Sequence, residues 1–210
     1  MKPEGQKYKL DRIHFHWGSS DGAEHQVGSS TTEQRAKRME IQLIHVKDGF
    51  GTNYTKANMN SSRAQDTLAI LSVLVELKKS DNTNLSKLID AVDKVKAKDQ
   101  NQTFSGIKLT DILPRNTHGF YRYEGSMTFP NCTESVIWTI FKDPIYISEA
   151  QLNKFKAVTS VFNNYRTPQS LGTRKIKDVE TSMKMFSSSP KPIWSNMLPL
   201  TLLLPILKSL

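Results

Sequence analysis

The segment Ile13-His14-Phe15-His16-Trp17-Gly18 holds the side chains best suited to chemistry. On a β-strand, residues two apart point to the same face, so His14 and His16 project their imidazoles together. Two neutral imidazoles so placed can share one zinc ion. A structural zinc needs four ligands and a catalytic zinc three plus a water, so the pair alone is incomplete. Read by itself, His-x-His equally describes two histidines on a partly exposed strand face. No serine or cysteine nucleophile has a local signature. The single cysteine, Cys132, lies beside a glycosylation sequon rather than in a basic, activating pocket.

The elements that must position these residues are mostly strands. Residues 8–17 and 39–46 alternate apolar with polar, 68–77 are nearly continuously apolar, and 120–129 and 135–141 also read as strands. Two helices are expected. Leu85, Leu88, Ile89, Val92 and Val95 share one helical face, with Asn84 placed to cap it. Ser148 and Gln151 form a capping box ahead of Leu152, Phe155 and Val158. The class is a strand-rich α+β fold with one domain, and 210 residues are enough for a sizeable core.

Composition narrows the function classes. With 37% apolar and 23% charged residues the chain is an ordinary folding sequence, and one cysteine excludes an internal disulfide framework or a multi-cysteine metal site. The +9 charge invites a nucleic-acid reading. However, the lysines at 78, 79, 94, 96 and 98 are interspersed with Asp81, Asp90, Asp93 and Asp99. No aromatic-interleaved basic platform is present, so no nucleic-acid partner is expected.

The ends carry their own signals. The first residues contain no secretory h-region and enter a strand almost at once, which predicts a truncated domain over residues 1–180. Near the other end, Ser187, Ser188 and Ser189 precede a spacer and the apolar stretch 197–207. That stretch is too short to span a bilayer as a helix, which needs about 20 residues. Small residues, spacer and short apolar tail match the signal removed when a GPI anchor is attached, so residues 181–210 are expected to be a processed tail. A disordered or packed tail is the plainer alternative. Five sequons, at Asn53, Asn60, Asn84, Asn101 and Asn131, favour a secretory history and a cell-surface parent. A chain truly starting at Met1 would instead stay in the cytoplasm.

Several motifs together are specific. Phe15-His16-Trp17-Gly18, Glu24-His25 and Met39-Glu40-Ile41-Gln42-Leu43-Ile44-His45 resemble the active-site core of the α-type carbonic anhydrases. Tyr123-Glu124-Gly125-Ser126-Met127-Thr128, Trp138 and Asn164-Tyr165-Arg166-Thr167-Pro168-Gln169 are similar to that family's later landmarks, and the tail resembles its GPI-anchored extracellular branch. The resemblance implies a large, mostly antiparallel twisted sheet with a zinc-holding cleft, and hydration of CO2 to bicarbonate. It implies zinc ligation by His14 and His16. It also implies a Glu24 carboxylate that accepts the Thr128 hydroxyl proton and so orients the zinc-bound hydroxide. His25 and Tyr123 match buried polar groups that tie the site together, and Asn164 matches the segment whose backbone supports the second ligand. Ile44, Ile70, Met127, Val136 and Trp138 match the apolar wall where CO2 rests.

Departures from the pattern shape the functional expectation. The family's third histidine ligand is here Gln42, two residues after the retained carboxylate Glu40. An amide oxygen is neutral like imidazole but a weaker zinc donor, and it offers Glu40 no ring N–H to orient. Arg12 stands where the family has a glutamine bonded to the first ligand, and a cation there opposes a divalent metal unless it escapes to solvent. Phe129 follows Thr128 and should narrow and dry the cleft. The resemblance also implies that the family's N-terminal third is absent, with its proton-shuttle histidine and the partner of Cys132. The expected protein is therefore carbonic-anhydrase-like with weakened or absent zinc and impaired or silent catalysis. The alternative is an active zinc carbonate dehydratase using His14, His16 and Gln42. A silent domain would be kept at the cell surface for binding a partner that the sequence does not identify, or be left as a degenerate paralogue.

Overall fold

A computed structural model describes residues 5–18, 23–25, 38–50, 57, 66–95, 102–129, 132–158, 163–180 and 200–202. Its strands are β1 (Tyr8–Trp17), β2 (Met39–Lys47), β3 (Leu68–Leu77), β4 (Gln102–Phe104), β5 (Gly119–Gly125), β6 (Val136–Phe141), β7 (Ile145–Ile147), β8 (Lys177–Glu180) and β9 (Leu200–Leu202). The helices are α1 (Ser86–Asp93), entered through a 3-10 turn at Thr83–Leu85, α2 (Leu109–Ile112) and α3 (Glu149–Lys156).

Seven strands form one sheet in the order β1-β2-β3-β6-β5-β8, with β7 also on β3. All pairings in it are antiparallel except that β6 and β7 run parallel to β3, one after the other along the same edge. This is the large, mostly antiparallel sheet that the resemblance implied.

Both faces of the sheet's centre are covered, which explains why β3 reads as an apolar run rather than an alternation. On one face Ile13, Phe15 and Trp17 of β1 join Met39, Ile41 and Leu43 of β2 in a core shared with α1 and α3. Phe155 of α3 packs on Phe15 and Trp17 at centroid distances of 5.3 and 6.2 Å, which fixes that helix against β1. The opposite face carries a second cluster containing Ile44, Ile70, Leu74, Met127 and Trp138. His14 and His16 of β1 and Glu40 and Gln42 of β2 point to this second face, whereas His45 shares the face of Ile41 and Leu43. Between Leu10 and Arg12 the β1–β2 register shifts, an extra residue that breaks the parity of the strand. Leu10 consequently packs on the same side as Ile13 and Phe15 despite its odd separation from them.

The capping box at Ser148 and Gln151 forms as the sequence predicts. The first helix differs at both ends. Asn84 does not cap it: the Asn82 side chain accepts the Asn84 N–H to cap the preceding 3-10 turn, and the helix itself starts after Leu85 with no side-chain cap. The helix stops at Asp93, although Val95 is still buried beyond it. The strand expected over 120–129 ends at Gly125. A Cβ there would meet the Tyr123 ring at 2.5 Å and Trp138 at 3.1 Å, so only glycine permits this approach. Sequence reading missed β4, β7, β8, β9 and α2, which are short or built from mixed residues. Residues 200–202 of the apolar tail pair antiparallel with Gln102–Phe104. No helix among the described residues is long and apolar enough to cross a membrane.

Candidate active site

The β1–β2 register places His14 opposite Gln42 and His16 opposite Glu40, and β3 continues the first row with Ser72. Side chains paired across antiparallel strands lie on one face with Cβ atoms about 5 Å apart. All five are buried, on the face away from the helices. Charged and amide groups so placed must be hydrogen-bonded or incur a desolvation cost, and here a network joins most of them.

Glu40 is its hub. Oε2 accepts the backbone N–H groups of Glu24 and His25 at 2.9 and 3.0 Å. Oε1 accepts from His25 Nδ1 at 2.8 Å, Ser72 Oγ at 2.8 Å and Gln42 Nε2 at 3.1 Å. The other side of the His25 ring meets Tyr123 Oη at 2.7 Å. Gln42 Nε2 also donates to Glu24 Oε2 at 2.7 Å, and Glu24 Oε1 accepts the Arg166 backbone N–H at 2.9 Å. His16 Nδ1 donates to the Asn164 carbonyl at 2.8 Å and lies 3.3 Å from Glu24 Oε1. Asn164 fixes the strand end as well: its side chain accepts from Trp17 N at 2.6 Å and donates to the Phe15 carbonyl at 3.0 Å.

The electrostatics follow from this packing. Burial opposes ionisation of Glu40, but His25 and the Ser72 hydroxyl outweigh it and hold the carboxyl down at about 2. Burial likewise opposes a charged His25, yet Glu40 lifts that ring above its ordinary range. Burial, with help from Glu40, pushes Tyr123 up, so its hydroxyl stays protonated. Burial, His16 and Arg12 together hold His14 far below the imidazole range, leaving it neutral with a lone pair to offer.

Among the buried atoms around this network with no hydrogen-bond partner are His16 Nε2, Gln42 Oε1 and Thr128 Oγ1. An orphaned buried polar atom costs about 1–3 kcal/mol, so such a group invites an explanation. The imidazole nitrogen and amide oxygen, with the neutral His14 ring, fit a divalent cation as two nitrogen donors and one oxygen donor. The His14 and His16 centroids are 6.3 Å apart. Two rings on one tetrahedral zinc would lie about 5 Å apart by bond lengths and angle, so the pair must close by about 1 Å. Among the described residues no group of three His, Cys, Asp or Glu side chains is set to hold a metal.

The structure brings most of the expected site residues together and changes two relationships. Glu24 and Thr128 do not pair: the Glu24 oxygens accept from Gln42 and Arg166, and the Thr128 hydroxyl has no hydrogen-bond partner. Glu40 does orient its neighbour on β2, because the carboxamide of Gln42 supplies the N–H that a ring would have supplied. Arg12 neither escapes to solvent nor stands alone. It bonds Asp11 at 2.5 Å, and its charge is one cause of the depressed His14. Ile44, Ile70 and Trp138 sit side by side across β2, β3 and β6, and Met127 and Val136 pack with them. Phe129 lies against this cluster with its ring 6.0 Å from that of His14. Ser72 and the Arg166 backbone N–H were missed. Ser72 was legible as the position across β2 from Gln42 once register was known, whereas nothing in the sequence marks a backbone donor.

Outside this site, a polar cleft of about 480 Å³ opens beside the start of β6, lined by Glu124, Glu134, Arg166 and Arg174 but by none of His14, His16 or Gln42. Cys132 is unpaired, half-buried and at positive φ (51°). Asn84 is exposed, while Asn53, Asn60, Asn101, Asn131 and Ser187, Ser188 and Ser189 lie outside the described residues.

Comparison with known proteins bears on what this arrangement is. The eukaryotic-type carbonic anhydrase family matches residues 1–180. Rabbit (Oryctolagus cuniculus) carbonic anhydrase 1 is 33% identical over 186 residues, 83% of this chain and 74% of that protein. Human carbonic anhydrase 6 is 31% identical over 83% of this chain. Rat (Rattus norvegicus) carbonic anhydrase 4 is 30% identical over 97% of it. The chain spans 57% of the human protein's length and 64% of the rat protein's.

Proposed function

The chain belongs to the eukaryotic-type carbonic anhydrase family, and from that premise we propose that it is a carbonic-anhydrase-like protein whose hydration of CO2 is impaired by Gln42. The observation that carries this reading is the donor set: two imidazoles and a carboxamide where the family's reaction uses three imidazoles. Zinc, when bound, acts by bringing the pKa of a water down toward about 7. His14, His16 and Gln42 Oε1 would hold it, with the amide the weakest of the three.

What the chain's own residues do supports a weakened site. The Asn164 carbonyl and Glu24 fix the His16 ring through Nδ1, leaving Nε2 as the donor. Arg12 places a positive charge close enough to depress His14, and that charge also disfavours a bound cation. The Thr128 hydroxyl lacks the carboxylate acceptor that would fix its direction, so it orients a reacting oxygen less well. The cluster of Ile44, Ile70, Met127, Val136 and Trp138 supplies an apolar surface suited to CO2, and Phe129 keeps water from it. Orphaned Gln42 Oε1 favours the second reading, an active zinc carbonate dehydratase with Gln42 as a serviceable third ligand.

Metal content and stopped-flow CO2 hydration of the full chain separate these readings. Substoichiometric zinc and slow turnover are expected, and stoichiometric zinc with rapid turnover would sink the impaired reading. Attachment to a cell surface through a GPI anchor near Ser187, Ser188 or Ser189 belongs to the same proposal. It is supported by the small-residue, spacer and apolar order of the tail and by the exposed Asn84 sequon. Release of the surface protein by a phosphatidylinositol-specific phospholipase is the expected result.

A further inference from the structure

We infer that Glu24 has changed partners: it is a positioning residue for the Gln42 carboxamide rather than an acceptor for the Thr128 hydroxyl. This deepens the impaired-site reading and rests on it for the metal. Gln42 Nε2 donates to Glu24 at 2.7 Å and to Glu40 at 3.1 Å, so both amide hydrogens are spent on carboxylates. An amide has two donors and one acceptor oxygen. Turning it over would set that oxygen against two buried carboxylates, so the orientation has a single stable choice. Oε1 is then the only part of the side chain left for a ligand, and it is buried with no partner. The same choice turns one Glu24 oxygen toward the amide while the Arg166 N–H holds the other, and Thr128 Oγ1 is left without a partner.

One substitution thus has two linked effects. The carboxylates preorganise an amide oxygen as a third donor, and Glu24, turned toward the amide, no longer receives the Thr128 hydroxyl. An imidazole at this position would behave differently: a ring that coordinates through one nitrogen has a single N–H left, enough for Glu40 alone, and Glu24 is released.

Zinc affinity, measured by competition with a chromophoric chelator on the full chain, tests the linkage. Glu24→Ala should weaken zinc about 10- to 100-fold, the usual effect of losing a group that orients a ligand. In the Gln42→His background the same change should cost less than about threefold. Effects at His16 and Arg166 are common to both backgrounds and cancel in the comparison. Equal losses in the two backgrounds would overturn the inference. A second readout needs neither zinc nor a foldable Glu24→Ala: the Gln42 side-chain amide protons, observed by ¹⁵N NMR. Both should exchange slowly, and Glu24→Gln should selectively shift one of them. Fast exchange of both protons refutes the grip whatever the zinc result. If no variant binds zinc while both protons stay protected, the metal reading fails and the grip on Gln42 stands.

Discussion

His14 on β1 and Gln42 on β2 are register partners, so the residue at position 42 faces the first imidazole across one strand spacing. Backbone pairing sets that geometry, and side-chain identity at 42 decides what it can hold. Gln42→His should therefore raise zinc affinity by at least tenfold and increase CO2 hydration, read by metal analysis and stopped flow. An unchanged zinc affinity would place the main defect at Arg12 instead.

Thr128 presents a buried hydroxyl with no partner. Thr128→Val keeps the shape and removes the unmet group, so stability should hold or improve by about 1 kcal/mol in urea denaturation. In Gln42→His, where Glu24 becomes available to the hydroxyl, the same substitution should cost stability.

Ser72 donates to Glu40 Oε1 at 2.8 Å within the buried network. Hydrogen bonds to charged groups contribute about 1.5–3 kcal/mol. Ser72→Ala should lower unfolding free energy by about that amount and leave the Tyr8–Trp17 pairing on β2 intact, as amide exchange along β1 would report.

His45 supplies a pH dependence away from the ligands. Burial lowers its pKa, and hydrogen bonds to the Leu43 and Ala69 carbonyls only partly oppose that. The folded chain therefore binds a proton less readily than the unfolded one. The contribution of His45 to stability is complete above the ordinary imidazole value of about 6.5 and is lost as pH falls below it toward the folded pKa. His45→Gln should flatten the acid limb of a plot of urea midpoint against pH between 7.5 and 5; an unchanged slope would assign that limb to other groups.

The sequence by itself determined the long strands, the one-face placement of His14 and His16, the box at Ser148 and Gln151, and the glutamine at position 42. These are local properties: periodicity, capping chemistry and residue type act over a few positions, and family motifs preserve them. Asn84 marks the resolution of such reasoning: a 3-10 turn capped by Asn82 precedes the helix, so the expected cap falls inside that turn. The tertiary structure alone decided who bonds whom. Glu24 lies 18 residues from Gln42, and Arg166 lies 142 residues from Glu24, yet they meet at 2.7 and 2.9 Å. A buried carboxylate has few oxygens and accepts the donors that the fold brings within reach. The pairing of Glu24 with the Gln42 carboxamide, on which the proposed change of partners rests, therefore required the sheet register and the segment carrying Arg166 to be in place.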